Sequence, residues 1–286
     1  MTTITRFAPS PTGLLHIGHV YSAQFAKAEA RRLDGRFLLR IENIDTGRCR
    51  PEFETAIAED LAWLGLKWEK PVRRQSEHMG DYRRALNELE RLGLLYPCFC
   101  TRKEIIAETE AAGHAPHDLL PGQAGPLYPG TCRDLDAGER DRRIAADDPF
   151  SLRLHMARAS AQAGHLCWRD LTRGDIEAEP EIFGDVVLAR KDTPTSYHLA
   201  VTIDDHLQNV SVVTRGEDLL AATHVHRLLQ ELLGLDVPDY RHHRLVTNED
   251  GRRLAKRDRA VTIAGLREAG KTPTEVLAIA GWEDDL

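Results

Sequence analysis

Arg6-Phe7-Ala8-Pro9-Ser10-Pro11-Thr12-Gly13-Leu14-Leu15-His16-Ile17-Gly18-His19 decides how the rest of the chain is read. An apolar start at Ile4 and Phe7 gives way to a turn punctuated by Pro9, Pro11 and Gly13. The prolines forbid helix continuation before Gly13 and stiffen the turn, while Gly13 can take backbone angles closed to other residues. A strand, a rigid loop and a helix N-terminus follow, and such an N-terminus is where backbone best receives an anion. Two imidazoles at its head, His16 and His19, can donate to a phosphate as charge develops there. The alternative for the pair is a helix cap or a solvated surface.

Outward from this turn, the stretch from Ile17 to Leu33 is Ala-rich with apolar residues at helical spacing, and Asp34-Gly35 ends it. Phe37 to Ile41 is a short apolar run suited to a buried parallel strand, stopping at the acidic turn Glu42 to Gly47. Pro51 opens the next helix, whose stripe is Phe53, Ile57, Leu61 and Leu64. Strand, helix, strand, helix in this order predicts an α/β fold built on a doubly wound parallel sheet. In such sheets ligands sit at the carboxyl ends of the strands, and the opening turn and the Glu42 turn both lie there.

Beyond Trp68 the expectation is a polar connection, a helix from His78 to Gly93, an apolar run to Cys100 and a short helix near Thr101. From Gly113 to Gly130 the composition shifts to Pro, Gly and His, a long irregular loop that something other than a core should hold. Ser151–His155 and Cys167–Arg169 are expected as strands of an inserted region, and Asp185–Arg190 as a buried strand. A helix over 197–207, a strand over 210–214, a helix over 217–233 and a last short strand at Leu245-Val246-Thr247 complete the pattern. A charged loop from Asn248 to Arg259 and one or two short helices follow.

The whole has 286 residues, enough for one good core divided into two or three subdomains. The N-terminus lacks an apolar signal region and no apolar run approaches membrane-spanning length, so a cytoplasmic protein without a membrane partner is expected. Five cysteines, an odd count, argue for thiols or metal ligands rather than a disulfide framework. The net charge of −7 excludes a protein that coats nucleic acid indiscriminately, but leaves room for a specific RNA partner facing local arginine clusters. Those clusters are Arg73-Arg74, Arg83-Arg84 and the stretch from Arg241 to Arg259, each of which taken alone is ordinary solvated charge.

Cys98 and Cys100 flank one residue, and Cys132 lies beyond the irregular loop. Three thiolates brought together would suit tetrahedral zinc clamping a coreless loop; the alternative is a set of buried free thiols. By chemistry the fourth ligand stays open among Tyr128, His114 and His117. Cys49 and Cys167 are expected as packing residues. Gly251-Arg252-Arg253-Leu254-Ala255-Lys256-Arg257 concentrates positive charge in a loop, where a lysine can close over polyphosphate.

With His16-Ile17-Gly18-His19 and Arg253-Leu254-Ala255-Lys256-Arg257 both present, the chain resembles the class I aminoacyl-tRNA synthetases, in which two such signatures frame ATP. The segments Arg6–Gly13, Arg40–Asp45, Tyr197–Asp205 and Arg215-Gly216-Glu217-Asp218 narrow the resemblance to the glutamyl branch, and it spans nearly the whole chain. Discriminating members of that branch continue into a large helical anticodon-binding region; after Lys256 only Arg257 to Leu286 remain, too few for one. The chain therefore looks like the truncated paralogue family, the glutamyl-queuosine tRNA(Asp) synthetases.

That resemblance implies a ligase that activates L-glutamate with ATP and Mg²⁺ and attaches it to the queuosine base of tRNA(Asp), acting as a monomer. The competing expectations are a module charging a tRNA 3′ end and a non-catalytic tRNA-binding remnant. The implied catalytic residues are His16, His19 and Lys256, with Gly18 added at the ATP site. Glutamate falls to Arg6, Phe7, Ala8, Pro9, Ser10, Glu42, Tyr197 and Arg215, with Arg6 and Arg215 as cations for its side-chain carboxylate. The resemblance also implies structural zinc on Cys98, Cys100, Tyr128 and Cys132. The implied layout is a Rossmann-like catalytic domain in two halves, 1–95 and 181–240. A zinc-bearing insertion, 96–180, and a lysine-loop and short helical part, 241–286, complete it. Two positions depart from the family's pattern: Ala255 stands where a serine is usual before the lysine, and Asn43 where an acid is commoner beside Glu42.

Overall fold

The computed structural model describes residues 2–111, 127–246 and 262–283. Ile4–Phe7 (β1) leads through the proline turn into Ile17–Arg32 (α1), then Arg36–Ile41 (β2), Pro51–Trp63 (α2) and Glu69–Arg74 (β3). β1, β2 and β3 form a parallel sheet with β2 central. The three strands and two helical crossovers make one βαβαβ unit. β3 falls where only a polar connection is expected. Its sequence, Glu-Lys-Pro-Val-Arg-Arg, carries the charge and proline that an edge strand tolerates and a central one does not.

Met79–Arg91 (α3) and Leu95–Cys98 (β4) follow, then Arg102–Ala111 (α4), Ala137–Ala145 (α5), Ser151–Leu154 (β5) and Met156–Ala163 (α6). Next come Cys167–Asp170 (β6), Gly174–Glu177 (β7) and Val187–Ala189 (β8). β4, β5 and β8 make a small antiparallel sheet. Tyr197–Leu207 (α7), Val212–Gly216 (β9), Ala222–Leu233 (α8) and Asp239–His243 (β10) return the chain to the parallel layer. β9 pairs with β10 and β10 with β6, all parallel, and β7 closes that edge antiparallel.

The two parallel sheets meet at β1 and β9. Ser211 N donates to Ile4 O at 3.0 Å, and Ile4 N donates to Ser211 Oγ at 2.9 Å. Strand order therefore reverses between β1 and β9, the topological switch point at which ligands bind in such sheets.

Three expectations are corrected. The strand at Cys167–Arg169, expected in an insertion, belongs to the parallel layer, because buried Trp168 packs edge-on against Tyr240 and His242 of β10. No strand forms at Leu245-Val246; the last strand among the described residues is β10, hidden by its polar residues, and Thr247 lies outside the described residues. The helix expected from Glu217 begins at Ala222, after a 3-10 turn over Glu217–Leu219.

Two apolar cores flank the switch point. One joins α3, α6, α7 and α8 through residues such as Leu89, Met156, Leu199 and Leu228. The other sets Leu15, Val20, Leu39, Ile57 and Leu61 against Ile263, Val276 and Ala280, which lie on Ile263–Glu268 (α9) and Pro273–Ile279 (α10) and at its C-terminal end. Among the described residues no helix is long and apolar enough to cross a membrane.

Candidate active site

At the switch point a cavity of about 400 Å³ opens. Arg6, Phe7, Ala8, Pro9, Ser10, His16, Gly18, His19, Glu42, Tyr197 and Arg215 all line it, joined by Ser22, Asp218 and His243. All the residues that the sequence offers for glutamate, and all for ATP except Lys256, thus converge on one space. Lys256 and Ala255 lie outside the described residues, but the chain on either side is anchored here. Val246 lines the cavity, and Thr262 makes an isolated bridge to His16 while Ile263 N donates to Leu15 O at 2.9 Å.

His16 is the N-cap of α1. Its Nδ1 accepts from Gly18 N at 3.1 Å, and His19 Nδ1 accepts from His16 N at 3.1 Å, a reciprocal capping box. The capping alternative is therefore true, yet it does not compete with anion binding. Acceptance at Nδ1 fixes each neutral ring as the Nε2–H tautomer, so each imidazole retains a donor edge. A Cβ at Gly18 would meet His16 Cε1 at 3.1 Å, a tight contact that the glycine relieves. No acidic residue occupies the first turn of α1, leaving its positive end uncancelled.

Behind the cavity lies a buried charge network. Arg6 donates from Nε and Nη2 to Asp205 at 2.9 and 3.2 Å and from Nη1 to Thr214 O at 3.0 Å. Fully buried Arg40 donates to Asp205 at 2.8 Å, Gln208 at 3.1 Å and Glu42 at 3.2 Å. Asp204 receives Arg73, Gln75 and Tyr82. Burial pushes the Asp205 carboxyl up, but Arg6 and Arg40 outweigh it and hold it below the usual range. At Glu42 burial wins over the same two arginines and the carboxyl is raised. Glu42 is thus a buried carboxylate whose positive surroundings fall short of its charge. Burial likewise keeps the Tyr197 phenol neutral. Asn43 uses its Oδ1 to accept from Ser76 N at 2.8 Å, a bond that a carboxylate oxygen would make equally well.

Arg215 is held differently. Its Nη2 donates to Thr223 Oγ1 at 2.5 Å, Nη1 to His226 Nδ1 at 3.1 Å and Nε to His242 Nε2 at 3.2 Å. All three acceptors are neutral: burial, reinforced by the Arg215 charge, lowers His242 to about 4 and His226 well below its usual value. Among the described residues no carboxylate lies within ion-pair distance of this buried guanidinium, in contrast to Arg6. The sequence offers both arginines for one task; the structure separates a compensated cation from an uncompensated one. It also brings in Arg40, Asp204 and Asp205, whose only sequence signal is their place inside the quoted motifs.

At the tip of the β4–β5–β8 sheet, Cys98, Cys100 and Cys132 place their sulfurs within 4.8 Å of one another. Cys100 Sγ is 3.4 Å from Cys132 Sγ and 3.5 Å from the Tyr128 hydroxyl, which accepts from Cys132 N at 2.7 Å. Zinc–sulfur bonds of roughly 2.3 Å put tetrahedral thiolates about 3.8 Å apart, so the donor set fits this ion. The local core is small, chiefly Tyr96, Phe99 and the ligand candidates, as a cation-clamped segment requires. His114 and His117 lie outside the described residues.

A family model described as tRNA synthetases class I (E and Q), catalytic domain, matches residues 2–283. The chain is 47% identical over 283 residues to a Rhodobacter capsulatus protein named Glutamyl-Q tRNA(Asp) synthetase, covering 97% of this chain and 99% of that one. It is 37% identical over 281 residues to the glutamate–tRNA ligase of Aquifex aeolicus, covering 97% of this chain and 57% of the ligase. The crystal structure of a glutamate-tRNA synthetase from Elizabethkingia anophelis superposes with a TM-score of 0.80 at 30% identity, covering 98% of this chain and 61% of that one.

Proposed function

Because the chain belongs to the class I tRNA synthetases of the glutamate and glutamine type, a family of ligases, we propose that it activates L-glutamate with ATP and transfers it to the queuosine base of tRNA(Asp). The observation that carries the first step is the single cavity holding a helix-capping histidine pair at one side and an uncompensated arginine at the other. The glutamate α-carboxylate attacks the ATP α-phosphate in line, releasing pyrophosphate, a reaction that needs positioning and charge stabilisation more than covalent help. The Nε2–H groups of His16 and His19 and the N-terminus of α1 stabilise the charge developing on the α-phosphate. Lys256 holds the outgoing pyrophosphate, and Mg²⁺ arriving with ATP would supply further neutralisation of phosphate charge.

Arg215 receives the side-chain carboxylate of glutamate, Glu42 the α-ammonium and Tyr197 adds a hydroxyl contact. Arg6, already matched by Asp205, contributes hydrogen-bond donors to the pocket rather than net charge, while Phe7 to Ser10 form its wall. Cys98, Cys100, Tyr128 and Cys132 would hold a structural zinc, which would clamp the segment between β4 and β5. The queuosine acceptor is supported by the name of the Rhodobacter relative and the extent of the match to it.

The test is incubation with labelled glutamate, ATP and tRNA(Asp), with and without queuosine, followed by removal of the tRNA 3′ end. Label that survives trimming and requires queuosine is the expected result. Label lost with the 3′ end would establish the ordinary charging reaction instead, and no label with either tRNA would refute both.

A further inference from the structure

Arg215 owes its orientation to a chain of hydrogen bonds that reaches a carboxylate one residue further out. Behind its Nε, His242 Nδ1 lies 2.7 Å from Asp170 Oδ2, and both side chains are fully buried. The other oxygen of Asp170 is fixed by Thr172 N at 2.9 Å and Arg173 N at 3.0 Å. Behind Nη1, His226 Nε2 meets His198 Nδ1 at 3.2 Å.

These contacts determine where each proton sits. Asp170 is ionised: burial pushes it up, but His242 and the two backbone N–H groups hold it below the usual range. An ionised carboxylate can only accept, so His242 carries its proton on Nδ1 and offers the Nε2 lone pair to Arg215. By the same logic His226 offers Nδ1 to Arg215 and donates from Nε2 to His198. Three of the five N–H groups of Arg215 are taken by Thr223, His226 and His242, and a further one is in reach of the Tyr197 hydroxyl, which lines the cavity beside it. The guanidinium itself presents only donors, so it pairs with the oxygens of a carboxylate and cannot satisfy the N–H₂ of a carboxamide.

We propose that the Asp170–His242 pair is a positioning and specificity element. It fixes His242 as an acceptor, orients Arg215 as a donor-only fork and so selects a carboxylate-bearing amino acid over its amide. This inference rests on the assignment of Arg215 to the glutamate side chain. Neither residue lines the cavity, so neither touches substrate.

The decisive variant is Asp170→Asn, which preserves shape. Thr172 N and Arg173 N hold the amide oxygen in the place of Oδ1, so the N–H₂ replaces Oδ2 and donates to His242 Nδ1. The imidazole must then carry its proton on Nε2, pointing at the Nε–H of Arg215. Losing a hydrogen bond to a charged group corresponds to about tenfold to a hundredfold in affinity. Titration calorimetry of the full chain with L-glutamate, L-glutamine and ATP should show glutamate binding weakened at least about tenfold, a narrower glutamate-to-glutamine ratio and unchanged ATP binding. Adding His242→Gln, whose amide oxygen can accept from Arg215 Nε, should recover part of the loss in the double variant. Wild-type glutamate affinity in Asp170→Asn, or a double variant no better than the single, would overturn the inference. Should Asp170→Asn not fold, His242→Gln against His242→Phe decides: equal affinities would overturn it. Absence of glutamate binding by the wild-type chain would instead refute the assignment of Arg215 itself.

Discussion

Arg6 and Arg215 line the same cavity, yet replacing each with glutamine should break different things. In Arg6→Gln, the buried carboxylate of Asp205 loses a two-bond partner at 2.9 and 3.2 Å and keeps only Arg40. Breaking a buried pair costs about 3–5 kcal/mol, and the remaining arginine places this case near the lower end, about 3 kcal/mol. For a chain of 286 residues that corresponds to a fall in Tm of about 5 °C. Arg215→Gln abandons no carboxylate. It forfeits bonds to Thr223, His226 and His242, but it also removes a buried charge that lacks a counter-ion, and the glutamine amide can still donate to one acceptor. The net change should stay within about 1 kcal/mol. Glutamate affinity responds in the opposite order. Without Arg215 the side-chain carboxylate enters a pocket with no free charge to meet it, a loss of about 3–4 kcal/mol, or two to three decades. Differential scanning calorimetry and glutamate titration on the two variants check both halves. If Arg215→Gln lowers Tm as much as Arg6→Gln while glutamate affinity falls less than tenfold, the division into a compensated and an uncompensated cation is wrong.

His19→Ala should lower the rate of adenylate formation by about two decades, roughly 3 kcal/mol of transition-state stabilisation, measured by pyrophosphate exchange at saturating substrates. The same change removes one arm of the capping box, and the Tm loss should be no more than about 1 kcal/mol would produce. Atomic absorption on the purified chain should find one zinc per molecule, and Cys132→Ser should lose it together with protease resistance between β4 and β5. Asp60, fully buried on α2 with Arg267 Nη1 3.5 Å away, is pushed by burial from the usual 3.8 up to about 6. A raised acid binds its proton more tightly in the folded chain, so stability falls as pH rises from about 4 to 6, by up to about 3 kcal/mol. Asp60→Asn should therefore raise Tm at pH 7, with the gain vanishing below pH 4.

The elements legible in the sequence are those whose burial is written in their composition. Phe37 to Ile41 is apolar except for Arg40, and the stripe of Ile57 and Leu61 on α2 is buried as the spacing implies. β3 and β10 are invisible for the converse reason. β3 is an edge rich in charge, and β10 buries His242 and His243 through hydrogen bonds, with only Tyr240 joining an apolar cluster. Periodicity reports hydrophobic contrast, and it has no channel for polar groups satisfied by partners far along the chain. The site follows the same division. Local motifs identify the cavity lining, since His16, Glu42, Tyr197 and Arg215 sit in recognisable strings. Which arginine is neutralised depends on Asp205, 199 positions from Arg6, while Asp170 reaches Arg215 only through His242.

Charge balance explains why one rigid turn can serve both reactants. Arg6 opens the turn and is tied to Asp205 and to Thr214 O on β9, so the two strands at the switch point are locked by the side chain that also lines the cavity. His16 and His19 close the turn, locked by the helix they cap. Between these anchors the backbone from Phe7 to Gly18 has both ends fixed, and prolines restrict its middle. The unbalanced groups, Glu42 short of positive charge and Arg215 without a carboxylate, are left on opposite demands that a zwitterion with an acidic side chain meets together. A neutral amino acid would satisfy Glu42 alone, and an inorganic anion Arg215 alone. The proposed selectivity for glutamate thus rests on where the network leaves its charges unmatched, and binding of that ligand would offset the cost of those unmatched charges.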